Sequence, residues 1–435
     1  MKKKTDEYRG RDMGSRMSTD SDMGAGGISL RRQVFSSLKN PVYRLYFGGM
    51  LGQMASMNMQ MLARSLLIYR VTGSAAILGV MSLANALPML FLSLFGGVIA
   101  DRVQKKKVLI VGQASSAIVS LGVALALTLG YLSTEQTGSW WILIVASILQ
   151  GTIMGLMMPS RQAIIPEIVS EEQVMNAIAL NSMGMNALRL FAPAATGFLI
   201  DALDFAAVYY TMTGMYLMAV VFISFMPPTG TITIRGGGAL DDIRDGIDYI
   251  RHETTILLLL AFTLVIVVLS MPYIMLMPIF ADDILKVGAT GLGIMMSVSG
   301  VGAVVGSLVL ASLPNKKRGA ILLVTSLIMG VALAGFSFSK LWPLSLVLIA
   351  FVGLGQTGRM ALANTLLQQY TEEQYRGRVM SFYMMQFGLT SFGTLVAGLL
   401  AEGIGVQWSL GGFAVVLTLL TVLVLVFTPR LRNLD

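Results

Sequence analysis

The chain of 435 residues contains no cysteine. That excludes disulfides, thiolate zinc sites and iron–sulfur clusters. Its one histidine, His252, falls in a polar loop segment and reads as a solvated side chain, not a metal ligand. Charge is also scarce, at 12% of residues, against about 25% in soluble domains. No HExxH, GxSxG or P-loop stretch occurs, so the common hydrolase and nucleotidase signatures are missing. One DDxxD pattern, Asp241-Asp242-x-x-Asp245, keeps a magnesium-dependent intramembrane enzyme as an alternative. It lies on the polar face of a short loop helix with Arg244 inside it, and solvated helix charges explain it better. The first 42 residues hold no apolar stretch. No cleaved signal peptide is therefore expected, and the first apolar span should act as the targeting signal.

What the chain does contain is apolar length. Hydrophobic residues make up 55% of it, and its mean hydropathy is +0.74. Such a composition calls for lipid as solvent. Apolar runs of the roughly 20 residues needed to cross a bilayer recur from 44–70 through 75–100, 108–132, 140–160, 177–201 and 205–226. They resume at 255–281 and continue through 288–312, 319–339, 342–366, 377–402 and 406–428. The expectation is an all-α membrane protein of twelve transmembrane helices in two six-helix halves. The halves cover 41–226 and 255–428. They are flanked by a disordered cytoplasmic tail (1–40) and a short C-terminal tail (429–435). Loops after the even-numbered spans carry Arg102, Lys105, Lys106, Lys107, Arg161, Arg244, Lys316, Lys317, Arg318 and Arg376. By the positive-inside rule both termini are cytoplasmic. The same rule accounts for the net charge of +8 without nucleic acid.

The connection 227–254 opens on Pro227-Pro228, has a flexible joint at Gly236-Gly237-Gly238, and then forms an amphipathic helix. Leu240, Ile243, Ile247 and Ile250 make its apolar stripe. The two halves also repeat. PSRQAII (159–165) matches TGRMALA (357–363), Glu171-Glu172-Gln173 matches Glu372-Glu373-Gln374, and Gly197 with Asp201 matches Gly398 with Glu402. Parallel repeats of this kind place a substrate site between the halves, near the midplane.

Charge inside spans is rare and informative. Arg64 and Arg189 lie in the first and fifth spans. Gln53, Met57, Gln60 and Arg64 share one face of the first, and Ser182, Asn186 and Arg189 share one of the fifth. Arg64 has a competing reading, snorkelling toward the outer interface. No Asp or Glu falls mid-span; Asp201, Asp282, Asp283 and Glu402 stand near the outer ends. Methionines are numerous, 31 in all. Those of the first, seventh and eleventh spans would suit varied apolar substrates, although ordinary lipid-compatible filling is the plainer account. Pro272 and Pro278 are expected to break the seventh span.

The stretch Gly97-x-x-x-Asp101-Arg102-x-Gln104-Lys105-Lys106 resembles the second-to-third-helix loop signature of the major facilitator superfamily. Gln104 stands where that family usually has Gly. MMPSRQAIIPEIV (157–169), NAIALNS (176–182) and ALRLFAPAATG (187–197) are similar to the siderophore-exporter-like and multidrug-efflux branch. TGSAAILG (72–79) is similar to it as well. The resemblance implies alternating access and outward export of amphiphiles, usually by proton antiport. It also implies a cytoplasmic gate at Gly97, Asp101, Arg102, Lys105, Lys106, Arg161 and Arg359. First and fifth helices would line a cavity with Gln53, Met57, Gln60, Arg64, Ser182, Asn186, Arg189, Tyr273 and Gln386. Ala192, Pro193 and Gly197 would pack against Gly302 and Gly306 in a helix seam. Asp282 and Asp283 are the candidates for proton coupling. The expected function is export of anionic or amphiphilic small molecules by a monomer in the bacterial inner membrane, surrounded by lipid and needing no cofactor or metal. A lysophospholipid or lipid carrier is the alternative.

Overall fold

A computed structural model describes residues 35–133, 136, 138–229, 239–314 and 316–435, without the side chains of Leu94, Val98, Asp101 and 239–244. The tail before residue 35 and the triple-glycine joint lie outside the described residues. So do the Asp101 carboxylate and the side chains of Asp241 and Asp242. Regular structure among the described residues is helical throughout.

The first half comprises α1 (Pro41–Thr72), α2 (Ala75–Arg102), α3 (Lys105–Thr128), α4 (Trp141–Ala163), α5 (Val174–Ala202) and α6 (Phe205–Ser224). A linker helix α7 (Ala239–His252) follows. The second half comprises α8 (Thr254–Ser270), α9 (Pro272–Ile279), α10 (Gly288–Ser312), α11 (Arg318–Phe338), α12 (Trp342–Tyr370), α13 (Arg376–Met384), α14 (Gln386–Ile404) and α15 (Val406–Phe427). Among the described residues, ten segments are long and apolar enough to cross a membrane, α8–α9 and α13–α14 each counting as one. Helices α1 and α5, with 32 and 29 residues, have the length as well but hold no equally apolar stretch.

Local chemistry sets the helix ends. The Asn40 side chain accepts hydrogen bonds from the Val42 and Tyr43 N–H groups at 2.9 and 3.3 Å, and Pro41 occupies the first turn of α1, where its missing N–H costs nothing. Gly73 ends α1 at φ 64°, a left-handed stop that glycine adopts without strain. Ser74 then caps α2 through the Ile77 N–H at 3.2 Å. The seventh span breaks at Met271-Pro272, while Pro278 sits inside α9.

Each half packs around its own interior. In the first, α2 lies on α4, α3 on α6, and α1 on α5 and α6. In the second, α12 lies on α10 and α11, and α15 on α11. The halves meet along two seams, α5 with α10 and α2 with α14. A Cβ on Gly197 would stand 2.2 Å from the Ala289 oxygen, and one on Gly398 would stand 2.4 Å from the Ala75 oxygen. Only glycine permits this approach. The expected seam needs one correction. Pro193 and Gly197 do face α10, but through Ala289, Thr290 and Gly293, while Ala192 is buried with no close approach to that helix. A Cβ on Gly302 or Gly306 would instead meet the Ala350 or Leu354 oxygen of α12, at 1.9 and 2.9 Å. Small residues run round several faces of α10, so their spacing alone does not tell which neighbour each one meets.

The linker helix docks beneath the second half. Tyr249 stacks on Tyr375 with centroids 4.0 Å apart, the Glu372 N–H donates to the Tyr249 hydroxyl at 3.2 Å, and Asp245 pairs with Arg378 at 3.5 Å. His252 is exposed, its ring nitrogen 2.7 Å from the Asp248 carbonyl.

Candidate functional site

Between the halves, at mid-depth, lies a cavity of about 60 Å³ lined by Asn58, Met61, Arg189, Tyr273, Met277, Met296 and Ser299. Helix α5 delivers Arg189, with Pro193 one turn further on the same face. Across from it, the break at Pro272 starts α9 and presents the buried Tyr273. Its hydroxyl donates to Gln356 Oε1 at 3.3 Å and lies 3.4 Å from Ser299 Oγ. Arg189 Nη2 donates to the same Gln356 oxygen at 3.5 Å. A guanidinium thus points into a pocket whose other polar groups are neutral and whose walls hold thioethers. A guanidinium suits an anionic group and thioethers suit varied apolar surface, although the enclosed space of about 60 Å³ is smaller than such a ligand in this state.

Several expected cavity residues are elsewhere. Gln53, Gln60 and Arg64 are buried at 0%, 7% and 7% exposure and turn into the interior of the first half. Gln53 Nε2 bonds the Met157 sulfur at 3.7 Å, and Arg64 lies within electrostatic reach of the Tyr209 and Tyr216 hydroxyls on α6. Arg64 therefore neither snorkels nor lines the cavity. Met57, on the same stripe, is half-buried and does not line it either. The helix face that does, Asn58 and Met61, is rotated roughly 100° from this stripe, about one residue's turn. A polar stripe hidden from lipid can face a central cavity or its own half's interior, and periodicity does not distinguish them. Ser182 and Asn186 are exposed on the Arg189 face of α5. Gln386 is buried where α14 begins and does not line the cavity. Gln356 and Asn58 escaped the sequence reading. Gln356 was detectable as the lone amide in the otherwise small and apolar run FVGLGQTG.

The halves are tied at one end. Arg70 forms a two-pronged pair with Asp282 at 2.8 and 3.1 Å, and the Tyr69 hydroxyl donates to Asp283. The Thr290 N–H, in the first turn of α10, donates to Asp201 Oδ2 at 2.7 Å. The Ala76 N–H, in the first turn of α2, donates to Glu402 Oε1 at 3.2 Å, and Ser74 donates to the same oxygen. Asp201 and Glu402 occupy matching positions in the two sequence repeats. Each follows a seam glycine by four residues, and each binds a helix start in the opposite half. A carboxylate there complements the positive end of the helix.

The opposite end differs. Lys105 pairs with Glu167 at 2.5 Å, and Lys106 Nζ donates to the carbonyls of Ser224, at 2.8 Å, and Met226. Arg161 and Arg359 are buried at 5% and 2% exposure, each inside its own half, while Arg102 is exposed and Gly97 has no close neighbour. Among the described residues, none of the expected gate residues bonds across the halves. Every described hydrogen bond between the halves lies at the Arg70 end or along the path from Ser82–Ser391 to Arg189–Gln356. Among the described residues, the hydrogen bonds between the halves are thus concentrated at the Arg70 end and at mid-depth.

Comparison with known proteins is decisive on family. The profile of the transmembrane secretion effectors, a major facilitator family, matches residues 32–435. The chain belongs to that family. As a major facilitator it is a transporter and not an enzyme, and an integral multi-pass protein of the bacterial inner membrane. Its relatives include the staphyloferrin A transporter of Staphylococcus aureus, 24% identical over 77% of this chain and 83% of that one. The multidrug efflux pump Tap of Mycolicibacterium fortuitum is 25% identical over 85% and 91% of the two chains. The enterobactin exporter EntS of Shigella flexneri is 24% identical over 88% and 90%. Among solved structures, a peptide transporter of the POT family superposes with a TM-score of 0.69 at 13% identity, over 90% and 95% of the two chains. The nucleoside transporter NupG gives 0.68 at 12%, over 88% and 99%. These structural likenesses support the major facilitator fold.

Proposed function

We propose that this transporter exports amphiphilic anions by alternating access. Helices α1 and α5 join the ten apolar segments to make twelve spans, with both termini in the cytoplasm. The arrangement described above is then the cytoplasm-open state, closed on the outside by Arg70–Asp282, Tyr69–Asp283 and the two carboxylate caps. The observation that carries this reading is Arg189, a guanidinium on the inter-half cavity with a neutral amide oxygen as its hydrogen-bond partner. Substrate enters from the cytoplasmic cleft past Ser182 and Asn186. Its anionic group pairs with Arg189, and Met61, Met277 and Met296 receive its apolar body. Relatives that carry siderophores or drugs support export as the direction. Asp282 and Asp283 are the proton-coupling groups in this scheme. Protonation from outside would release Arg70 and Tyr69 and let the outer end part.

The test is efflux from loaded vesicles using matched anionic and cationic fluorescent amphiphiles, with and without a protonophore. Export of the anionic probe should fall at least about tenfold in Arg189→Ala, in line with loss of a charge-assisted contact. Equal export of cations with no effect of Arg189→Ala would defeat the anion reading, and indifference to the protonophore would defeat proton antiport.

A further inference from the structure

Gln356 does not line the cavity itself but stands behind its wall, bonded to two residues that do, Arg189 and Tyr273, and it belongs to the half opposite Arg189. Its carboxamide oxygen accepts from Arg189 at 3.5 Å and from Tyr273 at 3.3 Å. Its nitrogen is oriented by the Met271 sulfur at 3.6 Å. The side chain is 9% exposed, so this oxygen is held in place among buried neighbours. A planar sp² oxygen facing a guanidinium is half of the geometry that a carboxylate offers the same group. The difference is charge, since an ionised acceptor bonds a guanidinium roughly twice as strongly as a neutral one.

We propose that Gln356 is a built-in surrogate for the anionic group of the substrate. It engages Arg189 until an ionised carboxylate takes its place, and it thereby determines specificity. This rests on the reading that Arg189 receives the substrate anion. Two consequences follow from the same contact. An uncharged oxygen displaces the Gln356 amide only at parity, whereas a carboxylate gains on exchange, so the site discriminates by charge. Arg189 also lies on α5 of one half and Gln356 on α12 of the other, so the exchange removes a mid-depth tie between the halves. Substrate binding is thus linked to the motion that carries it.

The experiment measures binding to the purified full chain, using a dansyl-labelled medium-chain carboxylate and its uncharged primary amide. Gln356→Glu places a permanent carboxylate beside Arg189. It should weaken binding of the carboxylate probe about tenfold or more and shift the amide probe less than about twofold. Gln356→Ala removes the competitor and should tighten carboxylate binding several-fold, again with little effect on the amide. Gln356→Asn, a shorter amide, guards against misfolding and should fall between Gln356→Ala and the unaltered protein. Equal shifts of both probes in the Gln356 variants would overturn the surrogate role and leave Gln356 a packing residue. Arg189→Gln separates the two levels. If it abolishes carboxylate selectivity while the Gln356 variants are indifferent, only the surrogate role falls. If it leaves carboxylate binding unchanged, the anion reading falls and takes this inference with it.

Discussion

Neutralising the two repeat-related caps should open the outer end. In Asp201→Asn with Glu402→Gln, the side chains keep an oxygen for the Thr290 and Ala76 N–H groups but lose the charge facing the helix start. Both sites are solvent-exposed, so the lower range for charge–helix interactions applies, about 0.3–1 kcal/mol each. Together that is about 0.6–2 kcal/mol, or a population shift of roughly 3- to 30-fold toward the outward-open state. The chain has no cysteine, so Met277→Cys gives a single label site on the cavity. Its rate of modification by a membrane-impermeant maleimide, added from outside to intact cells, reports the open population directly. We expect that rate to rise 3- to 30-fold in the double variant. The control is Asp204→Asn, because Asp204 caps a helix of its own half through the Ala207 N–H at 2.7 Å. An unchanged rate in the double variant, or an equal rise in the control, would refute the idea that these carboxylates close the outer end.

Two further outcomes follow from the packing. Gly197→Val puts side-chain atoms where the Ala289 oxygen already stands 2.2 Å from the Cβ position. Transport should be lost while each half stays folded, seen as retained monodispersity on size exclusion with abolished efflux. Arg64→Ala should do the reverse of Arg189→Ala. It vacates a large buried position in the first half, where loss of packing outweighs relief of the two unpartnered guanidinium nitrogens. It should therefore lower the melting temperature without altering the ratio of anionic to cationic probe efflux; a changed ratio would place Arg64 at the substrate after all.

How much of this was legible in the chain depends on the kind of signal. Hydropathy marked ten of the expected spans, because a bilayer sets a minimum apolar length for every crossing. The repeat of Gly197 and Asp201 with Gly398 and Glu402 was visible as letters. Its meaning was not, because the helix starts they bind, at Thr290 and Ala76, lie 89 and 326 residues away in sequence. Arg189 stood out because a guanidinium within a span must find a partner or a cavity. Arg64 sent the same signal and went to a different place, since α1 touches both the central cavity and the interior of its own half. The rotation of that helix, which puts Asn58 and Met61 on the cavity and Arg64 beside Tyr209, is decided by ridges and grooves of neighbouring helices. Gln356 likewise acquires importance only where α12 brings it under Arg189. The sequence by itself determined that this is a multi-pass helical membrane protein with an internal repeat and rare charges within its spans. Which polar residues meet across the halves, and at which end the halves are tied, was decided by tertiary packing, because those contacts join helices that no local pattern links.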